Sequence, residues 1–321
     1  MKKINIIYVV LIAITTVSLA LIQGGCNSDK QPTKPIRIGY LNIMAGIPLL
    51  VAQEQGLFAK EGVEVTLVEF KTGNEVATAA VSGDIDVIGG AASNAVLDSA
   101  QASGKTMKLF LANEYAVKTA DHPSTDLLIG GKGIKKVADL KGKTIGIFPG
   151  SVGKTFSSVV FPKLGLPLDQ IKIVEIPAAQ MLTALRTGTV DAITALEPQA
   201  TTILASGDFN ILVEGYYAQV MPQVPASGSW FIDGRLTKKQ ENSVANAMYK
   251  AVDLVKSSRV IADKLLVQRM NVTPELAPKT PLLIWSPSSD PATRIRLNDY
   301  FTFMKQNGLT SFQGTNWIWQ P

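Results

Sequence analysis

The chain has 321 residues, 46% hydrophobic and 18% charged, a balance that suits an ordinary globular protein of roughly two domains. Its formal net charge of +5 is modest, and the absence of a dense Lys/Arg stripe interleaved with aromatics argues against nucleic acid as a partner. With one cysteine (Cys26) and one histidine (His122), the sequence excludes an internal disulfide, cysteine- or histidine-rich metal sites, and any histidine triad not built on His122.

Lys2 and Lys3 precede an apolar run from Ile4 to Ile22, the order of a signal peptide. Gln23-Gly24-Gly25-Cys26 follows, then a polar, proline-containing stretch to Pro35. A lone cysteine between a hydrophobic run and a flexible tether resembles a bacterial lipobox. Gly24 and Gly25 fit the small positions before it, whereas Gln23 stands where the pattern prefers leucine. The expectation is a lipoprotein signal over residues 1–26, lipidated at Cys26, and a tether over 27–35. The alternative is an uncleaved anchor, since about 20 apolar residues span a bilayer. Both place the rest of the chain outside the cytoplasm, held at the membrane.

The first strand is Ile36 to Leu41. Val63, Val65 and Leu67 alternate with Glu64 and Thr66, which predicts a second. Val76, Ala79 and Ala80 share one helical face, and Ser82-Gly83 supplies the stop. Ile85 to Ile88 reads as a short strand. Gly89 to Asn94 reads as an open loop whose backbone N–H groups, at the start of the next helix, suit an anion or a polar small molecule.

These elements return. Ile36–Leu41 is echoed by Lys143–Phe148, the second strand by Ile171–Ile176, and Gly83-Asp84-Ile85-Asp86-Val87 by Gly188-Thr189-Val190-Asp191-Ala192. Ala102-Ser103-Gly104 recurs as Ala205-Ser206-Gly207. Four elements in one order, offset by 103 to 107 residues, indicate two lobes of one βαβ design rather than a solenoid. Strands alternating with helices give parallel sheets with ligands at their carboxyl ends. Two facing lobes then form a cleft lined by Tyr40-Leu41-Asn42, Gly90 to Asn94, Pro149 to Gly153 and Ala195 to Pro198. Asn113 to Thr125 crosses between lobes and Tyr216 to Trp230 returns. Thr237 and Gln240 form a capping box opening a helix, and another helix runs from about Pro291 to Asn307. Trp317 and Trp319 read as packing or surface anchors.

Together, the export signal, the lipobox-like cysteine and the two lobes resemble the solute-binding lipoproteins of bacterial ABC transporters. The resemblance is closest to the nitrate/sulfonate/taurine group with the type II periplasmic-binding fold. It is carried by Gly56-Leu57-Phe58 through Gly62 to Val65, Ser82 to Val87, Ala138 to Gly146 and Ala184 to Pro198 (ALRTGTVDAITALEP). It implies an α/β fold of two lobes, residues 36–118 with 226–321 and residues 119–225, each a mostly parallel sheet flanked by helices. It also implies a monomer without cofactor that closes on a small solute and delivers it to a permease and its ATPase. The sulfonate, taurine, nitrate or small heteroaromatic class is implied in the same way.

Candidate ligand contacts are Tyr40, Asn42, Ala92, Ser93, Asn94, Ser151, Val152, Gly153, Glu197 and Trp230. Backbone N–H groups at the Ser93 and Ser151 helix starts suit an oxyanion. Tyr40 offers a stacking wall, and Trp230 either does the same or packs in the core. Glu197 pairs with an ammonium group, caps backbone or locks the lobes. No arginine stands in the four loops, which counts against a polyanion. Asp86 and Asp191, equivalent in the repeat, read as structural. Phe148 to Thr155 approaches a phosphate loop but lacks glycine at Phe148. Enzymes of this fold making thiamin-pyrimidine or menaquinone precursors, and exported ligand sensors, are the rival readings. The first of these enzymes rely on histidines and a cysteine-rich motif missing from this sequence.

Overall fold

Eleven strands make two sheets in the computed structural model, which describes residues 34–321 apart from residues 117, 120, 121 and 208. The expected signal segment with Cys26, and residues 27–33 of the expected tether, lie outside the described residues. One sheet contains β1 (Ile36–Leu41), β2 (Val65–Phe70), β3 (Val87–Ala92), β4 (Met107–Ala116), β10 (Gln223–Ile232) and β11 (Ile284–Pro287), in the order β11-β4-β10-β3-β1-β2. The other contains β5 (Asp126–Gly130), β6 (Thr144–Ile147), β7 (Lys172–Glu175), β8 (Ala192–Leu196) and β9 (Asn210–Glu214), in the order β7-β6-β8-β5-β9. The helices are α1 (Ile47–Glu54), α2 (Leu57–Lys60), α3 (Gly73–Ser82), α4 (Ser93–Ser103), α5 (Ser151–Lys163), α6 (Met181–Arg186), α7 (Gln199–Leu204), α8 (Lys238–Ser257), α9 (Arg259–Met270) and α10 (Pro291–Gln306).

The repeat read in the sequence is a repeat of topology. β2-β1-β3-β10-β4 in one lobe matches β7-β6-β8-β5-β9 in the other. β1 pairs parallel with β2 and β3, as β6 does with β7 and β8. β10 and β5 are inserted antiparallel. Each inserted strand is the first to arrive after the chain crosses between lobes. It enters from the opposite side and runs against its neighbours, so both sheets are mixed. Pro225, inside β10, has no N–H for the ladder, and the register with β4 breaks between Val224 and Ser227.

Local chemistry sets the element ends. Thr72 caps α3 by accepting from Glu75 N, and Gly83 ends it with φ +92°. Thr237 and Gln240 satisfy each other's backbone N–H at the start of α8, which buries Val244, Ala247, Met248, Ala251, Val252 and Val255 as the spacing requires. Gly89 to Ala92 is strand, not loop. Ala91 and Ala92 pair with β10, and α4 begins directly at Ser93. Small residues are needed there because a Cβ on Gly89 would stand 2.5 Å from Leu49 Cδ2.

In β5, Leu127 and Ile129 face α6 and α7 while Leu128 faces the opposite layer, the two-residue period of a doubly covered sheet. That opposite layer is continuous with the first lobe. Tyr217, in the second crossing, stacks on Phe156 of α5 at 4.2 Å and meets Tyr115 of β4 edge-on at 5.2 Å. Tyr300 of α10 lies parallel to Phe156 at 6.3 Å. Trp317 and Trp319 are core residues. Leu109 N donates to Trp317 O and Trp319 N to Leu109 O, so this segment lines the edge of β4 beside β11. Among the described residues, no helix is long and apolar enough to cross a membrane.

Candidate functional site

The carboxyl ends of β1, β3, β6 and β8 converge between the two lobes. An inner chamber lies there, lined by Ile43 and Ala45 after β1, Gly90 to Ala92 of β3, Tyr115 of β4, Phe148 to Gly150 and Val152 after β6, Leu196 of β8, and Ser227 of β10. This apolar part has a volume of about 60 Å³. Beside it, sharing Ile43, Ala45, Tyr115, Phe148 and Leu196, lies a polar end of about 20 Å³ that adds Thr125, Glu197 and Gln199 together with Met44 and Leu283. An outer groove of about 550 Å³ opens beside it, lined from one lobe by Asn42, Glu69, Lys71 and Arg269 and from the other by Ala178, Ala179, Leu182 and Thr202.

Of the residues anticipated from sequence, Ala92 and Val152 line the apolar part, Glu197 the polar end, and Asn42 the outer groove, where its Nδ2 donates to Arg269 O. The others, Ser151 apart, are turned elsewhere. Tyr40 is buried and donates its hydroxyl to Glu69 Oε2 at 3.0 Å, rather than walling the chamber. Ser93 donates to Pro225 O at 3.3 Å, because β10 runs alongside the start of α4. Asn94 Nδ2 donates to Thr155 Oγ1 at 2.8 Å, a bond from α4 in one lobe to α5 in the other. Gly153 packs beneath Phe148 O, where a Cβ would stand 2.2 Å away. Ser151 begins α5. Trp230 belongs to the core: it is 0% exposed, 6.2 Å from the Trp317 ring, and in ladder register with Ile88 and Leu109. Its position in the middle of a central strand decides this.

The segment resembling a phosphate loop is engaged by the protein itself. Gly150 N donates to Glu175 Oε1 at 2.9 Å, and Lys154 Nζ lies 3.4 Å from the same oxygen. The Gly150 amide, helped by Lys154, holds the Glu175 carboxyl below its usual range against the opposing effect of desolvation. An ionised carboxylate thus stands at the start of α5.

The polar end has a different character. Glu197 is 6% exposed, and its Oε2 accepts from Thr201 N at 3.1 Å. Burial pushes its pKa up to about 7, with neighbouring Asp126 adding to the rise and Thr201 opposing it. Asp126 is itself pushed up to about 7 by burial, against the amide of Tyr217, and its Oδ1 has no hydrogen-bond partner. Thr125 Oγ1, on a side chain 1% exposed, is likewise unpartnered. Among the described residues, no lysine or arginine lines the inner chamber, and no group of three or more His, Cys, Asp and Glu could hold a metal ion.

Sequence reasoning missed Tyr115, Phe148, Thr125 and Arg269. Arg269 lies some 70 residues beyond the last repeated loop, and only the fold carries α9 to the groove. Tyr115 ends an apolar strand and carried no local signal.

Residues 29–258 match the profile of the NMT1-like family. A binding protein of Brucella abortus is 28% identical over 170 residues, 53% of this chain and 50% of that protein, so the chain spans about half the length of this relative. A Bacillus subtilis protein named for binding aliphatic sulfonates is 28% identical over 214 residues, 64% of this chain and 61% of its own. The alkanesulfonate-binding protein SsuA from Xanthomonas axonopodis pv. citri, solved with MOPS, shares the fold with a TM-score of 0.68 at 22% identity, covering 87% of this chain and 95% of that one.

Proposed function

The chain belongs to the NMT1-like family, and we propose from that membership that it is the extracytoplasmic solute-binding component of an ABC importer. The observation that carries this reading is the inner chamber, placed where the carboxyl ends of four strands from two lobes meet. Residues 36–118 with 226–321 form one moving body and residues 119–225 the other. The crossings before β5 and before β10 are the hinge. The lobes part, admit a small solute, close over it and present the closed form to a permease and its ATPase. A lipid on Cys26 holds the monomer at the membrane, and residues 27–35 give it reach.

The relatives' names make aliphatic sulfonates the first probes. The carboxyl at the polar end makes amines and heteroaromatic nitrogen bases the second. A ligand that binds only the folded state raises the melting temperature, by about 2.7 kcal/mol of stability at one hundred times its Kd. The test is a thermal-shift panel of alkanesulfonates, nitrate, carboxylates, amines and aromatic heterocycles at millimolar concentration. At least one class raises the Tm in a saturable manner; a flat panel overturns solute binding.

A further inference from the structure

The start of α5 is the place in the second lobe best suited to an oxyanion, because a helix N-terminus presents unpaired N–H groups and positive dipole. In this chain that place has an occupant. The Glu175 carboxylate accepts from Gly150 N and pairs with Lys154. Gly150 also lines the chamber, so a sulfonate seated there would meet a like charge across one backbone amide. The remaining inner lining offers an anion no lysine or arginine among the described residues.

The polar end has the opposite requirement. Glu197 Oε2 accepts from Thr201 N, and Glu197 lines the chamber's polar end. Thr125, whose Oγ1 is buried and unpartnered, lines the same end. A buried oxygen without a partner costs about 1–3 kcal/mol. A donor from a solute satisfies it. Acceptors at the end, apolar walls behind them and an internal anion at the helix start describe one kind of guest.

We infer, on the solute-binding reading, that the inner chamber selects a small solute by a nitrogen donor directed at Glu197 and Thr125, and that Glu175 turns simple sulfonates away from the start of α5. The guest is an ammonium or a protonated or N–H-bearing heteroaromatic base with an apolar body. Glu175 is then a specificity residue that never touches the guest. The Glu197 carboxyl, which burial pushes up to about 7, is favoured in its ionised form by an arriving ammonium.

The test uses n-butylamine and n-butanesulfonate, which share an apolar body and differ at the head, with the full chain lacking only its lipid. Calorimetric titration at pH 8 is expected to give butylamine at least about tenfold the affinity of butanesulfonate, the scale of one desolvated charge-assisted hydrogen bond. Glu197→Gln removes that preference, reducing butylamine affinity about tenfold while its melting temperature stays that of a folded protein. Glu175→Gln, which leaves the polar end untouched, raises butanesulfonate affinity and leaves butylamine unchanged. Butanesulfonate binding the unaltered chain as well as butylamine does, or butylamine indifferent to Glu197→Gln, overturns the inference and leaves the importer reading standing. If neither probe binds but another class in the thermal panel does, the inference falls alone; if the whole panel is flat, both fall.

Discussion

Asp86 and Asp191 make the same pair of bonds in the two lobes. Asp86 Oδ2 accepts from Arg37 N at 2.9 Å while its own N donates to Arg37 O, and Asp191 Oδ2 accepts from Thr144 N at 2.8 Å while its own N donates to Thr144 O. Each aspartate clamps the turn before the third strand to the beginning of the first. Asp86 additionally takes a two-pronged contact from the Arg37 guanidinium, at 2.6 and 3.1 Å. Replacing Asp86 with alanine should therefore cost about 1–3 kcal/mol, and Asp191→Ala less, about 1 kcal/mol. Urea unfolding checks both. Burial raises the Asp86 pKa but the Arg37 bonds outweigh it, leaving the carboxyl below its usual value. Its contribution is thus present above the unfolded carboxylate range and lost as pH falls through the folded value. The difference between the unaltered chain and Asp86→Asn should shrink below about pH 4.

The buried carboxyls of Asp126 and Glu197 give the reverse slope. Burial raises both folded values to about 7, so between the unfolded range and neutrality the folded chain holds protons that the unfolded chain has released. Stability from these groups is complete below about pH 4 and declines toward pH 7. Asp126→Asn keeps an acceptor for the Tyr217 amide and removes the charge. It should stabilise the protein at pH 8 by on the order of 1–3 kcal/mol and flatten the decline in Tm between pH 5 and 8. An equally steep decline in that variant would contradict the assignment.

Gly153 sits one turn into α5, beneath Phe148 O. A methyl group there meets a carbonyl at 2.2 Å, and backbone rather than a flexible side chain has to yield. Gly153→Ala should lose about 1–3 kcal/mol despite alanine's better helix propensity, with the loss read as a lower urea midpoint at unchanged m-value.

The Asn94–Thr155 hydrogen bond ties α4 to α5 across the cleft. Thr155→Val removes its acceptor at nearly constant volume. It should weaken the closed arrangement by about 0.5–1.5 kcal/mol. Small-angle scattering should show a larger radius of gyration, with the Tm changed little.

Lipid attachment at Cys26 is tested by metabolic labelling with palmitate. Label should appear in the unaltered protein and vanish in Cys26→Ser, with the protein then released from the membrane fraction. Label that persists in the variant would place the modification elsewhere.

The two-lobed plan was legible because the repeat preserves what sets backbone geometry: alternating β-branched strands, glycine stops and one aspartate per lobe. Mixed sheets were not legible, since β5 and β10 owe their direction to the route of the chain, which no local pattern records. Of the candidate contacts read from the sequence, Ala92, Val152 and Glu197 line the chamber. Ser93 and Asn94 stand in the first turn of α4, with side chains claimed by Pro225 and Thr155. Trp230 has the composition of a cleft wall and the position of a core residue; strand alternation in β10 could not decide between them without knowing which sheet face was covered. Glu175 carried no motif, and only its approach to Gly150 reveals it.

The order in which the two lobes can be completed follows from the way β4 is flanked. Every strand of the second sheet lies between residues 126 and 214, so that lobe has all its parts as soon as this stretch has been synthesised. The first sheet needs β10 between β3 and β4, then β11, and finally the backbone of Trp317 and Trp319 on Leu109. Until residue 232 has left the ribosome, β3 and β4 lack the strand that joins them, and the free edge of β4 is not fully covered until residue 319 follows. A chain threaded through a membrane amino end first carries its earliest strands across while their partners are still unmade, so the segment that crosses first is the one least able to fold too soon.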